Sequence, residues 1–106
     1  MHDELRWTNN RLHGNNMSCD HHFTIAGVKW LWRYTRLRGS AAGWTYHGQK
    51  VLIDERLVKR SKLETECHEF LHAANPSLSE EAVTQQARDL SRILWALGYR
   101  QSSSGT

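Results

Sequence analysis

The spacing of apolar residues changes near Asp54, and this change constrains the fold more than any other feature. Before Asp54, apolar and basic side chains alternate, most clearly in the segment VKWLWRYT at 28–35. A period of two is typical of strands with one buried face. After Asp54, apolar residues recur every three or four positions, as in amphipathic helices. We therefore expect an α+β fold, in which a small, mostly antiparallel sheet of three to four strands packs against two helices.

The first half of the chain is predicted to form the sheet. Residues 23–26 and 28–38 are interpreted as two strands joined by a tight turn at Gly27, and residues 44–54 as one or two short strands broken at Gly48. Alternate residues of the second strand share the face that we expect to be buried: Val28, Trp30, Trp32 and Tyr34.

The second half is predicted to form two helices. The first runs from about Ser61 to Ala74 and stops before Pro76. Its expected core stripe consists of Leu63, Cys67, Phe70, Leu71 and Ala74. The second helix opens at Ser77 or Ser79, either of which can cap it, and ends at Gly98.

Length and composition indicate one ordinary globular domain. A chain of 106 residues is too short for two independently folding domains. Residues 21–100 are expected to form the domain, while residues 1–20 and 101–106, rich in turn-forming and small polar residues, are expected to be flexible. Two cysteines far apart in sequence do not predict a disulfide scaffold. The oligomeric state is left open.

Charge and hydropathy bear on the partners. The net charge of +3 is not gathered in one basic run, so nucleic acid is a disfavoured partner. The chain has neither the apolar segment of a signal peptide nor a run of about 18 apolar residues, so we expect a cytoplasmic protein without a membrane partner.

The motif H-E-x-x-H occurs inside the first predicted helix, at His68, Glu69 and His72. Residues four positions apart lie on one face of a helix, so the two imidazoles can bind the same zinc ion. Glu69 is rotated by about 100° from His68 and would lie beside the metal, where it can act as general base. The alternative is that both histidines lie on a solvated helix face.

A catalytic zinc needs a third protein ligand, with the fourth position left for water. Glu80 continues the apolar spacing of Val83 and Ala87 and is the preferred candidate, with Glu81 as the alternative. Histidine and carboxylate ligands also accept other divalent ions, so the sequence does not fix the metal.

Other side chains could also contribute to the site. His47 is a candidate ligand or hydrogen-bond donor, although a surface position is the simpler interpretation, and Tyr46 or Tyr99 could stabilise an oxyanion. Cys67 is interpreted as a small core residue. The pair His21 and His22 is too short to define a site.

From about residue 50 to residue 100, the segments KVLIDERL, HEFLHAANPSLSEEAV and ARDLSRILWALGYR resemble small H-E-x-x-H proteins of phages and bacteria, which look like minimal gluzincins, and more distantly SprT-like and ImmA/IrrE-type metallopeptidases. The resemblance implies His68 and His72 as zinc ligands, Glu69 as the catalytic carboxylate and an acidic residue of the segment 79–82 as third ligand. The downstream third histidine of metzincins is missing.

These observations predict a zinc-dependent metallopeptidase with one zinc ion per chain and a protein or peptide substrate. If it is encoded by a phage, it would act in the cytoplasm of the bacterial host. A peptide could add as a strand at the sheet edge beside the metal. The alternative is a non-catalytic binding or regulatory module, for which an exposed patch of Trp30, Trp32, Arg33, Arg36 and Arg38 would argue. The same patch could bind single-stranded nucleic acid.

Overall fold

The protein is described by a computed structural model over residues 19–101. The elements are β1 (Cys19–Ile25), β2 (Val28–Thr35), β3 (Gly43–Tyr46), β4 (Lys50–Asp54), α1 (Lys59–Ala74) and α2 (Glu80–Ala96). The predicted α+β class is confirmed. Residues 1–18 and 102–106 lie outside the described range, so the expected flexibility of both ends stays a prediction. Strand β1 begins at Cys19, the first of the described residues.

Strands β1 and β2 form the predicted hairpin, with the turn at Ala26 and Gly27. Their φ angles are 51° and 81°. Two consecutive residues with positive φ are what a type I′ turn requires, and this turn matches the twist of the flanking strands. The hairpin pairs Ile25 with Val28 and continues to the pair of Cys19 and Tyr34.

The four strands form one sheet in the order β1-β2-β4-β3. Strands β1 and β2 are antiparallel, as are β3 and β4, whereas β2 and β4 are parallel. The predicted break near Gly48 is confirmed, because residues 47–49 form the turn between β3 and β4. This order places β3 at an edge of the sheet, where one side of its backbone has no partner strand among the described residues.

One face of the sheet packs on α1 and contains the core. Trp30 and Trp32 are buried as predicted, together with Val51 and Ile53 of β4. Val28 was predicted to share this buried face, but 44% of it is exposed because it lies directly after the hairpin turn, beyond the reach of α1.

Helix α1 begins at Lys59, two residues before the predicted start, and ends at Ala74 as predicted. Its buried residues are Cys67, Glu69 and Ala73. Phe70, expected in the core stripe, is 42% exposed. The helix lies between the sheet and α2, so two faces are covered, and Phe70 lies on neither of them.

Helix α2 packs against α1 through Val83, Ala87 and Ser91. Of the two candidate caps, Ser79 is the N-cap, and its side chain accepts a hydrogen bond from the backbone N–H of Ala82. The helix ends at Ala96, and Gly98 follows with a φ of 91°. No helix within residues 19–101 has the length and apolar character required to cross a membrane.

Candidate metal site

Three side chains from two helices converge at one point. The Nε2 atoms of His68 and His72 lie 3.2 Å apart. Glu80 approaches both, with Oε2 at 3.1 Å from Nε2 of His68 and Oε1 at 2.9 Å from Nε2 of His72. The ligand atoms of these three side chains lie within 4.8 Å of one another, close enough to hold one ion. Among the His, Cys, Asp and Glu side chains of the described range, this group meets that condition.

Local structure explains how the two histidines come together. They are four residues apart on α1, so their rings lie on one face of the helix, with centroids 4.9 Å apart. Both side chains are about three-quarters buried, with 22% and 27% exposure. Each imidazole therefore points its Nε2 atom inward at the same small volume.

The third side chain depends on the start of α2. Glu80 is the first residue of that helix, directly after the Ser79 cap. Negative charge is favourable at a helix N-terminus. The structure brings Glu80, the preferred candidate, to the histidines, although 67% of its side chain is exposed. Glu81 is also exposed and lies outside the cluster.

The separations fit a tetrahedral ion. Zinc binds histidine nitrogen and carboxylate oxygen at about 2.0 to 2.2 Å, so neighbouring ligand atoms of a tetrahedral site lie about 3.3 to 3.6 Å apart. The two Nε2 atoms, 3.2 Å apart, are close to this range. The two Glu80 oxygens lie nearer, at 2.9 and 3.1 Å, each to a different imidazole. The donor set of two imidazoles and one carboxylate is one used by catalytic zinc sites.

Glu69 lies beside this cluster but does not join it. The side chain is 6% exposed and packs against the edge strand β3. Its Oε1 accepts a hydrogen bond of 2.6 Å from the Thr45 hydroxyl. A Cβ atom built on Gly43 would lie 2.8 Å from Oε2 of Glu69, so the carboxylate occupies the space that a side chain at position 43 would need.

A cleft of about 490 Å³ opens over the cluster between β3 and the two helices. Its walls include His68, Glu69, His72 and Glu80, together with the whole of β3. The cleft thus follows the sheet edge. A second cavity of about 470 Å³ adjoins it beyond Gly43 and also borders His68 and Glu69.

Of the other candidate residues, some line this cleft and some lie elsewhere in the fold. His47 and Tyr46 line the cleft, and both are exposed. Tyr99 is 63% exposed and lines a different cavity, beside Trp95 and the start of α1, so it cannot act on a substrate held at the cluster. Cys67 is buried as predicted, and burial raises the pKa of its thiol.

His21 and His22 lie on β1, away from the cluster. The ring of His21 stacks on Phe23 with centroids 5.4 Å apart and meets the edge of Tyr34. Burial lowers the pKa of His21. Its contacts are those of a packed aromatic side chain.

The contacts of Thr45 and Gly43 with Glu69 were not predicted from the sequence. Their segment, GWTY at 43–46, has the alternation of an ordinary strand, and nothing in its spacing connects it to Glu69. Only the placement of β3 against α1 makes that connection visible.

Comparisons of the chain with family models, with curated proteins and with solved structures found no match.

Proposed function

We propose that this protein is a zinc-dependent metallopeptidase that hydrolyses amide bonds in a protein or peptide substrate. The observation that carries the proposal is the convergence of His68, His72 and Glu80 within hydrogen-bond distance of one another, beside the buried carboxylate of Glu69. A solvated row of histidines would not require a carboxylate from a second helix. We expect it to act in the cytoplasm, of a bacterial host if it is phage-encoded.

Three residues would bind the zinc ion, and Glu69 would transfer the proton. His68 and His72 would bind zinc through Nε2, and Glu80 through its carboxylate. When bound, the ion supplies Lewis acidity, which makes water a stronger acid and polarises a carbonyl group. Glu69 accepts the proton of the attacking water and returns it to the leaving amine, as a positioned general base does. Its low exposure keeps that carboxylate away from bulk water.

The edge strand β3 suggests how a substrate would be held. Within residues 19–101 it pairs with β4 on one side only, and all four of its residues line the cleft that contains the cluster. An extended peptide can add to such an edge through backbone hydrogen bonds. The exposed rings of Trp44 and Tyr46 would then contact alternate side chains of the bound peptide.

The first experiment measures metal per chain by elemental analysis, without added zinc. Wild type should hold one zinc, and both His68→Ala and Glu80→Ala should lose it. Glu81→Ala is the matched control, because it removes a carboxylate from the same helical turn, and it should keep the metal. If Glu80→Ala kept zinc and Glu81→Ala lost it, Glu81 would be the third ligand. If wild type bound no zinc even after zinc was added, the proposed metal site would be wrong.

The second experiment tests the chemistry with Glu69→Gln. This variant should retain zinc but cleave peptides of a random library at least about 100-fold more slowly than wild type, since general base catalysis contributes about 10² to 10⁴. Full activity in Glu69→Gln would exclude the mechanism.

A non-catalytic binding module is the second candidate, and one observation favours it. Leu90 and Ile93 of α2, together with Leu97 at its C-cap, are 40%, 56% and 68% exposed. Trp30 and Trp32, however, are buried, which weakens the argument from an exposed patch of these residues and the neighbouring arginines. Their burial likewise weakens the argument that they stack on nucleic-acid bases. The test compares the cellular phenotype that the wild-type protein produces with those of two variants. A phenotype that persists in Glu69→Gln and is lost in Ile93→Asp would favour binding over hydrolysis.

A further inference from the structure

The edge strand β3 contacts the carboxylate of Glu69 at two positions, on its two oxygens. Thr45 donates its hydroxyl hydrogen to Oε1 at 2.6 Å. Gly43, two residues earlier and on the same face of the strand, lies against Oε2. A strand places residues i and i+2 on the same side, so both contacts follow from one register of β3 beside α1.

We propose that Thr45 and Gly43 are positioning residues for Glu69, and that Oε2 is the oxygen that accepts the proton. This inference rests on the proposed function, since it assigns the geometry of its general base. Oε1 is engaged by the hydroxyl, whereas Oε2 accepts no hydrogen bond from the described residues and keeps its lone pairs available.

The hydroxyl of Thr45 restrains a side chain that would otherwise rotate. A glutamate has three side-chain torsions, and a base must stay within hydrogen-bond reach of the proton that it removes. The same hydroxyl also lies 3.3 Å from the backbone carbonyl oxygen of Glu69, which keeps Thr45 over this residue. Fixing Oε1 therefore fixes the direction in which Oε2 faces.

The absence of a side chain at Gly43 leaves room for the carboxylate of Glu69. The φ of Gly43 is not among the positive values found at Gly27, Gly39 and Gly98, so backbone conformation does not require glycine here. A Cβ at this position would lie 2.8 Å from Oε2, 2.9 Å from Cγ and 3.1 Å from Cδ of Glu69. These atoms belong to a buried side chain, so a larger residue would displace the carboxylate.

The experiment compares Thr45→Val, Thr45→Ser and Gly43→Ala with two controls. Thr24→Val changes an exposed threonine of β1, and Gly48→Ala adds a methyl group where no atom lies within 4 Å. We expect one zinc per chain in all five variants. For Thr45→Val and Gly43→Ala we expect kcat to fall about 10- to 100-fold with little change in KM, because small misplacements of a catalytic group cost up to about 10²-fold. Thr45→Ser should restore most of kcat.

A second measurement follows the carboxylate itself. The ¹³Cδ NMR resonance of Glu69, assigned by its loss in Glu69→Gln, should move in Thr45→Val and Gly43→Ala and stay in place in Thr45→Ser and both controls. An unmoved resonance or an unchanged kcat in Thr45→Val overturns the proposal. If wild type binds zinc but cleaves nothing, the proposed function fails separately, and the resonance alone decides whether Thr45 holds the carboxylate.

Discussion

Oε1 of Glu80 lies 2.9 Å from Nε2 of His72, so the cluster exists only while α1 and α2 keep their relative position. His68 and His72 belong to one helix and would stay neighbours if α2 moved, whereas Glu80 would leave. A metal ion held by all three would therefore link the two helices.

This link predicts that zinc stabilises the fold. An ion that binds only the folded state, at a free concentration about 100 times its Kd, adds about 2.7 kcal/mol to the free energy of unfolding. Wild type should therefore unfold at a higher temperature with zinc than with a chelator, as measured by circular dichroism. Glu80→Ala should show a much smaller difference, and Glu81→Ala should match wild type. Equal melting temperatures with and without zinc would contradict the prediction.

Tyr34 joins β2 to α1 through a hydrogen-bonded chain. Its hydroxyl accepts a bond of 2.9 Å from Nε1 of Trp32 and donates one of 2.6 Å to Oε2 of Glu66. Burial raises the pKa of Tyr34, and the bond to Glu66 raises it further, so the hydroxyl stays protonated. Tyr34→Phe leaves the buried indole N–H without its acceptor.

The expected cost of Tyr34→Phe is about 1 to 3 kcal/mol, the penalty for an unsatisfied buried polar group. Urea unfolding followed by tryptophan fluorescence measures it. Tyr46→Phe is the matched control, because that ring is 45% exposed, and it should change stability little. A loss in Tyr34→Phe no larger than in the control would show that water replaces the lost acceptor.

The carboxyl group of Asp54 should make the free energy of unfolding depend on pH. Its side chain is 6% exposed and accepts hydrogen bonds from the side chain and the backbone N–H of Arg56. Hydrogen bonding by the Arg56 side chain lowers the pKa of Asp54 from 3.8 to about 2. Between these values the unfolded chain binds more protons, so this contribution is complete above about pH 4 and is lost as the pH falls through 2.

The measurement is urea unfolding at several pH values between 5 and 2. Wild type should lose stability over this range more steeply than Asp54→Asn, which lacks the titrating carboxyl. Asp89→Asn, at an exposed position of α2, should keep the steep wild-type profile. Parallel profiles for wild type and Asp54→Asn would show that other carboxyl groups dominate the acid response.

The two cysteines should differ in reactivity. Cys67 is 8% exposed, and burial, followed by the charge of Glu66, raises the pKa of its thiol. Thiol reagents react with the thiolate, so the native protein should be labelled at Cys19 well before Cys67. Peptide mapping by mass spectrometry identifies the labelled site, and urea should make both react. Equal labelling of the native protein would indicate that α1 opens readily.

Several features could be predicted because they depend on residues close in sequence. The turn at Ala26 and Gly27 follows from two adjacent strands, and α1 and its histidine pair follow from 3.6 residues per turn. The end of α1 before Pro76 has the same local origin. Backbone geometry alone fixes these relations, so the sequence by itself determined the strands, the helices and the facing imidazoles.

Other features were decided only by tertiary packing. The parallel pairing of β2 and β4 places β3 at the edge, and the docking of α1 on that edge brings Thr45 and Gly43 to Glu69. The packing of α2 on α1 brings Glu80 to the histidines, and Phe70 stays exposed. These contacts join residues 24 or more positions apart, or depend on how two helices cross. No local period encodes them, because they arise when separate elements bury their apolar faces together.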